Sequence, residues 1–170
     1  MDDSASLASV EIAERSLAAA ERCGGSLDAV VVDLQDPSWG LGSRKAAIEQ
    51  TEQAVRAFQA VTAQVGAVML LTTRLSRRPE HRRDSYPHLT DMRQRDLPLL
   101  RAADVVLLLY RDDIYNLRSD QKGLVQVIVA KNRFGQEGSV LLRHEFQYGR
   151  FCDHPHSDEP RLRPAHAARR

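Results

Sequence analysis

Ala29-Val30-Val31-Val32-Asp33 decides the reading of the fold. It is a short apolar run, mostly β-branched, closed by a single acid. A strand buried on both faces has this composition, because neighbours that point in opposite directions must both meet apolar surroundings. Upstream, Leu7, Val10, Ala13, Leu17 and Ala20 recur at helical spacing, with Glu11, Arg15 and Arg22 opposite and Ile12 off the stripe. Gly24-Gly25 then ends that amphipathic helix. Downstream, Asp36 to Gly42 reads as a loop and Ser43 as the N-cap of a helix running to about Gln64. Its inward positions are Ala47, Ile48, Thr51, Val55, Phe58, and Val61 or Thr62. Gly66 closes it, and Ala67 to Thr72 is a second buried strand.

Residues 74–96 are polar, arginine-rich and broken by Pro79 and Pro87; a loop of this length is usually functional or disordered. A short helix around Pro98-Leu99-Leu100-Arg101 leads to Asp104-Val105-Val106-Leu107-Leu108-Leu109-Tyr110, a third buried strand. Leu124 to Ala130 and Ser139 to Arg143 flank a glycine-bearing tip and read as a β-hairpin. From about Asp153 periodicity is lost, which predicts one domain over 1–152 and a disordered tail over 153–170. Apolar strands alternating with helices make this an α/β protein with a mostly parallel sheet, flanking helices and a C-terminal hairpin.

Composition narrows the function classes. The 170 residues are 42% hydrophobic and 28% charged, as in an ordinary globular protein, and no apolar run approaches the ~20 residues of a membrane span. The acidic start, Met1-Asp2-Asp3, resembles no secretory signal, and the two cysteines, Cys23 and Cys152, form no disulfide framework. The expectation is a reduced, cytoplasmic protein. The net charge of +1 hides an asymmetry: residues 1–60 hold ten acids against five Lys/Arg, whereas Arg74 to Arg101 hold eight arginines against four acids. That basic stretch is either a solvated surface loop or a patch for an anion such as nucleic acid.

Three features bear on chemistry. Asp33, a carboxylate at the C-terminal end of a strand, either caps the next turn or helps hold Mg²⁺, a hard cation that prefers oxygen. Lys131 and Arg133 enter the hairpin two residues apart, on one side of an extended chain, where two cations are either solvated or able to neutralise a transferred phosphoryl group. A phosphate loop, G-x-x-x-x-G-K-[ST], is missing: no Gly-Lys pair occurs, and Gly40-Leu41-Gly42-Ser43-Arg44-Lys45 has the wrong spacing and reads as a linker. His144 and Cys152-Asp153-His154-Pro155-His156 match no closed zinc pattern. Trp39 and Tyr86, one aromatic in each of two loops, read as packed or exposed rings more readily than as base-stacking ones.

Several of these motifs occur together in a recognisable order. Leu75-Ser76-Arg77, Pro87, Thr90-Asp91-Met92-Arg93, Asp104 to Asp113, Val127 to Gly135 with Gly138, and Tyr148-Gly149-Arg150-Phe151 resemble the motor domain of DnaB-type replicative DNA helicases. The resemblance runs from about residue 5 to 151 and is strongest after residue 65. It implies an incomplete RecA-like, P-loop NTPase-type fold and an ATP-dependent DNA helicase of replication, with ATP and Mg²⁺ as cofactors and single-stranded DNA and other helicase subunits as partners. By position, Asp33 falls on the Mg²⁺-supporting acid, Lys131 and Arg133 on the pair projected into a neighbouring subunit's nucleotide site, and Arg93 on the DNA-facing loop. Arg77, Arg78, Arg82, Arg83 and Arg95 complete the expected DNA-binding set.

The chain also departs from that pattern. The phosphate-loop strand and the strand carrying the catalytic glutamate would precede residue 1. Arg74 stands in place of a glutamine, and Gln94-Arg95-Asp96 replaces Glu-Ser-Gly. The expectations are therefore a chain unable to hydrolyse ATP alone, and direct pairing of strand 67–72 with strand 104–109 across the missing strand. A non-enzymatic module docking on a helicase ring or on DNA, or a degenerate gene remnant, is the competing reading.

Overall fold

A computed structural model describes residues 7–34 and 43–154. They gather into two compact units, Met1–Leu75 with Met92–Ala102, and Ser76–Asp91 with Ala103–Arg170.

In the first unit, helix α1 (Ser9–Arg22) begins where the Glu11 carboxylate reaches back 2.7 Å to accept from the Ala8 amide. It ends as Gly24 and Gly25 take positive φ, with the Gly25 amide bonded to the Ala20 carbonyl. Ala13, Leu17 and Ala20 of the expected stripe face the core, joined by Ser16, while Val10 points outward. Helix α2 (Arg44–Val65) is capped by the Ser43 hydroxyl, which accepts from the Ala46 amide, and is closed by Gly66 at φ 70°. It buries Ala47, Thr51, Ala54, Phe58, Val61 and Val65; Ala54 takes the place expected for Val55, since its spacing from Thr51 and Phe58 keeps the stripe straight. Strands β1 (Ala29–Asp33) and β2 (Val68–Thr72) pair in parallel, Ala29 opposite Val68 and Asp33 opposite Thr72. One face of this pair, with Val30 and Met69, packs on Ala20, Val61, Val65 and Ala67. The other is open: Val31 is 66% exposed, Val68 68% and Leu70 51%. The strands are thus buried on one face rather than two. Helix α3 (Leu97–Ala102) adds Pro98 and Leu99 to the buried set.

In the second unit, β3 (Val105–Tyr110), β4 (Leu124–Asn132), β5 (Gly138–Glu145) and β6 (Arg150–Asp153) form an antiparallel sheet in that order. A bulge at Val106/Leu107 leaves Ala130 unmatched. The β4–β5 hairpin turns on Asn132, whose side chain accepts from the Phe134 amide and donates to the Gln136 carbonyl. Leu108, Val125 and Ile128 are buried, whereas Leu107 and Leu109 are exposed. A one-turn helix α4 (Asp112–Tyr115) follows β3.

The α/β class holds, and among the described residues parallel pairing is confined to β1 and β2. The expected pairing of strand 67–72 with strand 104–109 does not occur. Among the described residues β2 pairs with β1 and β3 pairs with β4, in separate sheets. β4 pairs antiparallel along one edge of β3, which ends its sheet among the described residues. Trp39, the Gly40–Gly42 linker and the tail beyond His154 lie outside the described residues.

Candidate functional site

Asp33 ends β1 and Thr72 ends β2, and the parallel register sets them side by side. The Thr72 hydroxyl donates to the Asp33 carboxylate at 2.5 Å, on the exposed end of the strand pair. This is the C-terminal edge of a parallel pair, where α/β sheets place their ligands. It offers a hard cation one carboxylate and one hydroxyl. Among the described residues no group of three His, Cys, Asp or Glu side chains is placed to hold a metal ion, His144, Cys152 and His154 included. Arg44 and Lys45 open α2 on its exposed face, Lys45 3.8 Å from Glu49 one turn on. An amide cradle with its lysine is not among the residues described. These groups do not by themselves fit a triphosphate.

Next along the chain, the Thr73 hydroxyl donates to Asp96 at 3.1 Å. Asp96 is buried, and that burial raises its carboxyl above the usual range against the opposing pull of Thr73, Arg95 and Arg93. Arg93 and Arg95 are half-buried, and the Arg95 guanidinium lies 3.6 Å from the Asp96 carboxylate. In this unit Leu75 bridges Met92, which draws together the two ends of the intervening segment.

That segment, Ser76–Asp91, belongs to the second unit, where the Ser76 amide donates to the Asp91 carbonyl. Arg77, Arg78 and Arg83 are exposed on it, Arg78 3.4 Å from the Thr90 carbonyl. Arg82 turns inward. Its guanidinium grips both oxygens of Asp91, at 2.7 and 2.8 Å, and donates as well to the Tyr86 carbonyl. Asp91 is 1% exposed. Burial alone would raise its carboxyl, but Arg82 and the His88 amide hold it below the usual range. Tyr86 stands edge-on to Tyr110 with ring centres 5.2 Å apart, and its hydroxyl accepts from the Gln126 amide. Tyr110 stacks on Tyr115 and donates to Asp112; its burial, together with that bond, pushes the phenol up.

The hairpin pair meets at the start of β3. The Lys131 ammonium donates to the Ala103 carbonyl at 2.6 Å, and Arg133 pairs with Asp104 at 2.8 Å. The second pair is solvated, with Arg133 74% and Asp104 49% exposed. Sequence reasoning set the two cations on one side of the strand but missed their partners at 103–104, and it missed the Arg82–Asp91 clamp. The available signal for the clamp was an acid, Asp91, embedded among eight arginines.

The DnaB-like helicase C terminal domain family matches residues 1–153. Replicative DNA helicase DnaB of Geobacillus stearothermophilus is 30% identical over 128 residues, covering 75% of this chain and 28% of that protein. Its counterpart from Haemophilus influenzae is 30% identical over 155 residues, covering 89% and 32%. Among solved structures, the "ATPase Domain of G40P" superposes with a TM-score of 0.74 at 30% identity, over 89% of this chain and 53% of that one. "The Structure Of A DnaB-Like Replicative Helicase And Its Interactions With Primase" gives a TM-score of 0.74 over 90% and 36%. The chain thus spans about a third of the length of these curated relatives.

Proposed function

Because this chain belongs to the DnaB-like helicase C-terminal domain family, we propose that it serves DNA unwinding in replication as a dependent partner, one that does not turn over ATP by itself. The observation that carries this reading is the uneven set of chemical parts in these residues. Asp33, whose carboxylate accepts from Thr72, and Lys131 and Arg133, held near the start of β3, are the groups that the resemblance assigns to such a motor. No Gly-Lys pair exists anywhere in the sequence to receive phosphates. A lone carboxylate can support a metal that a nucleotide brings with it, but cannot retain the nucleotide.

In this reading ATP and Mg²⁺ are bound by another helicase subunit, and this chain lends Lys131 and Arg133 to that subunit's site. Their tethers suit such a loan. An exposed pair such as Arg133–Asp104 contributes less than ~1 kcal/mol, so a phosphoryl group can draw Arg133 away at small cost. Single-stranded DNA is met by the arginines at 77, 78, 83, 93 and 95, through the backbone charge that any sequence carries. Among the described residues no helix is long and apolar enough to cross a membrane, in keeping with work in the cytoplasm.

Nucleotide titration by calorimetry tests the central point, with ATP turnover measured with and without single-stranded DNA. The expected result is neither heat of binding nor turnover from the chain alone. Turnover that disappears in Asp33→Asn would overturn it. Purified full-length helicase of the same family provides the second arm: this chain should alter its ATP turnover, and Arg133→Ala should not.

A further inference from the structure

We infer that Arg82 and Asp91 are a positioning pair, which sets the arginine-bearing segment 76–91 on the β3–β4 sheet, and that Arg82 itself is not a contact for DNA. The inference rests on the proposed reading of this segment as a DNA-facing surface. Arg82 turns its guanidinium inward: both Asp91 oxygens and the Tyr86 carbonyl accept from it, whereas Arg78, exposed, makes one longer bond to the Thr90 carbonyl. Each of these partners anchors something. Asp91 closes the segment, since its backbone carbonyl accepts from Ser76 and its side chain from the His88 amide. Tyr86 joins the segment to the sheet, with its ring against Tyr110 and its hydroxyl bonded to Gln126 on β4. The guanidinium fork therefore ties the closed ends of the segment to its sheet anchor, while Arg77, Arg78 and Arg83 are left facing solvent. A planar fork donates to both carboxylate oxygens in parallel and to the Tyr86 carbonyl besides; an ammonium group is a point charge without that fixed geometry.

The sign of a single substitution separates positioning from simple charge. Asp91→Asn removes a negative charge from a basic segment, so charge alone predicts tighter binding to a polyanion. Arg82→Lys preserves charge, and charge alone predicts no change. Positioning predicts that both weaken binding to an oligo-dT single strand, on the order of tenfold, because a slack segment must be ordered at the moment of binding. Fluorescence anisotropy at fixed salt reads this, with Arg77→Gln as the comparison for a direct contact.

Limited trypsin digestion of the same proteins gives a readout independent of DNA, since Arg82→Lys keeps its own cleavage site. Cleavage at Arg77 and Arg83 should be faster in both variants, with the β3–β6 sheet still protected. Should a variant fail to fold, Tyr86→Ala serves in its place, since it removes the sheet anchor while leaving every charge intact. If the wild-type chain binds no single strand, the DNA reading fails, and faster cleavage in the variants still supports the clamp. Unchanged cleavage in the variants overturns the clamp, as does tighter DNA binding by Asp91→Asn.

Discussion

At Asp91 burial on its own would raise the carboxyl, yet the Arg82 fork and the His88 amide hold it below the usual carboxylate range. A depressed folded value means stability that is complete above the unfolded value and lost as pH falls through the folded one. Asp91→Asn should cost about 2 kcal/mol at neutral pH, less than the ~3–5 of a fully buried pair, because Arg82 keeps 32% of its side chain in water. Urea unfolding at pH 7 should show that gap, and the gap should narrow steadily as pH falls below the ordinary carboxylate range. Asp96, five positions on, titrates the other way. Its burial outweighs Thr73, Arg95 and Arg93, so its folded value lies above the ordinary one. Ionising it in the folded protein is then costly: the cost is absent below the unfolded value and complete above the raised folded one. Asp96→Asn, which can still accept from Thr73, should melt a few degrees higher than wild type at pH 7. That advantage should shrink steadily on acidification. A variant that melts lower at pH 7, with no response to acid, would remove the argument from burial.

At the level of elements, the parallel pair β1–β2 shows what the remaining residues can and cannot stabilise. Its inner face is held by helix α2, and Val61→Ala should cost about 2 kcal/mol in an unfolding titration, since Val61 is almost wholly buried. Its outer face holds nothing down: Leu70→Lys should change stability by less than ~0.5 kcal/mol while lowering dye binding and aggregation, because Leu70 already faces water. A loss of stability comparable to Val61→Ala would mean that the outer face is covered. The same contrast explains what was legible beforehand. Apolar runs such as Ala29 to Asp33 and Val68 to Thr72 announced strands, and Ser43 and Gly66 announced the ends of α2, because these are local preferences. The exposed faces were not legible, since composition records what a strand was shaped to bury and not what lies against it. Strand pairing was not legible either: composition marked β3 as a strand but not which neighbour would join it, and in the fold it pairs with β4. Among site residues, Lys131 and Arg133 could be set on one side by period alone. The Arg82–Asp91 and Thr73–Asp96 bonds join residues nine and twenty-three positions apart with no intervening periodicity, so only the folded chain pairs them.

Over the whole molecule, a net charge of +1 predicts little attraction to nucleic acid, and long-range steering should be weak. Any binding must come from local contacts, which makes its salt dependence a count of the residues involved. Each phosphate neutralised on a single strand contributes roughly 0.7 to the slope of log K against log salt. Arg77, Arg78 and Arg83 are the arginines of segment 76–91 that face solvent, so their contribution to the slope should be about −2. Substituting any one of them by glutamine should lower the magnitude by roughly 0.7 and weaken binding to all sequences alike. Arg82→Lys should weaken binding with a different signature. Its loss falls on the ordering of the segment, which is not a counterion effect, so affinity should drop at every salt concentration while the slope stays near that of wild type. Anisotropy titrations from about 50 to 200 mM salt distinguish the two patterns. A wild-type slope near zero would mean that the eight arginines between 74 and 101 are spent within the protein, as Arg82 is on Asp91, and that the segment does not read a phosphate backbone at all.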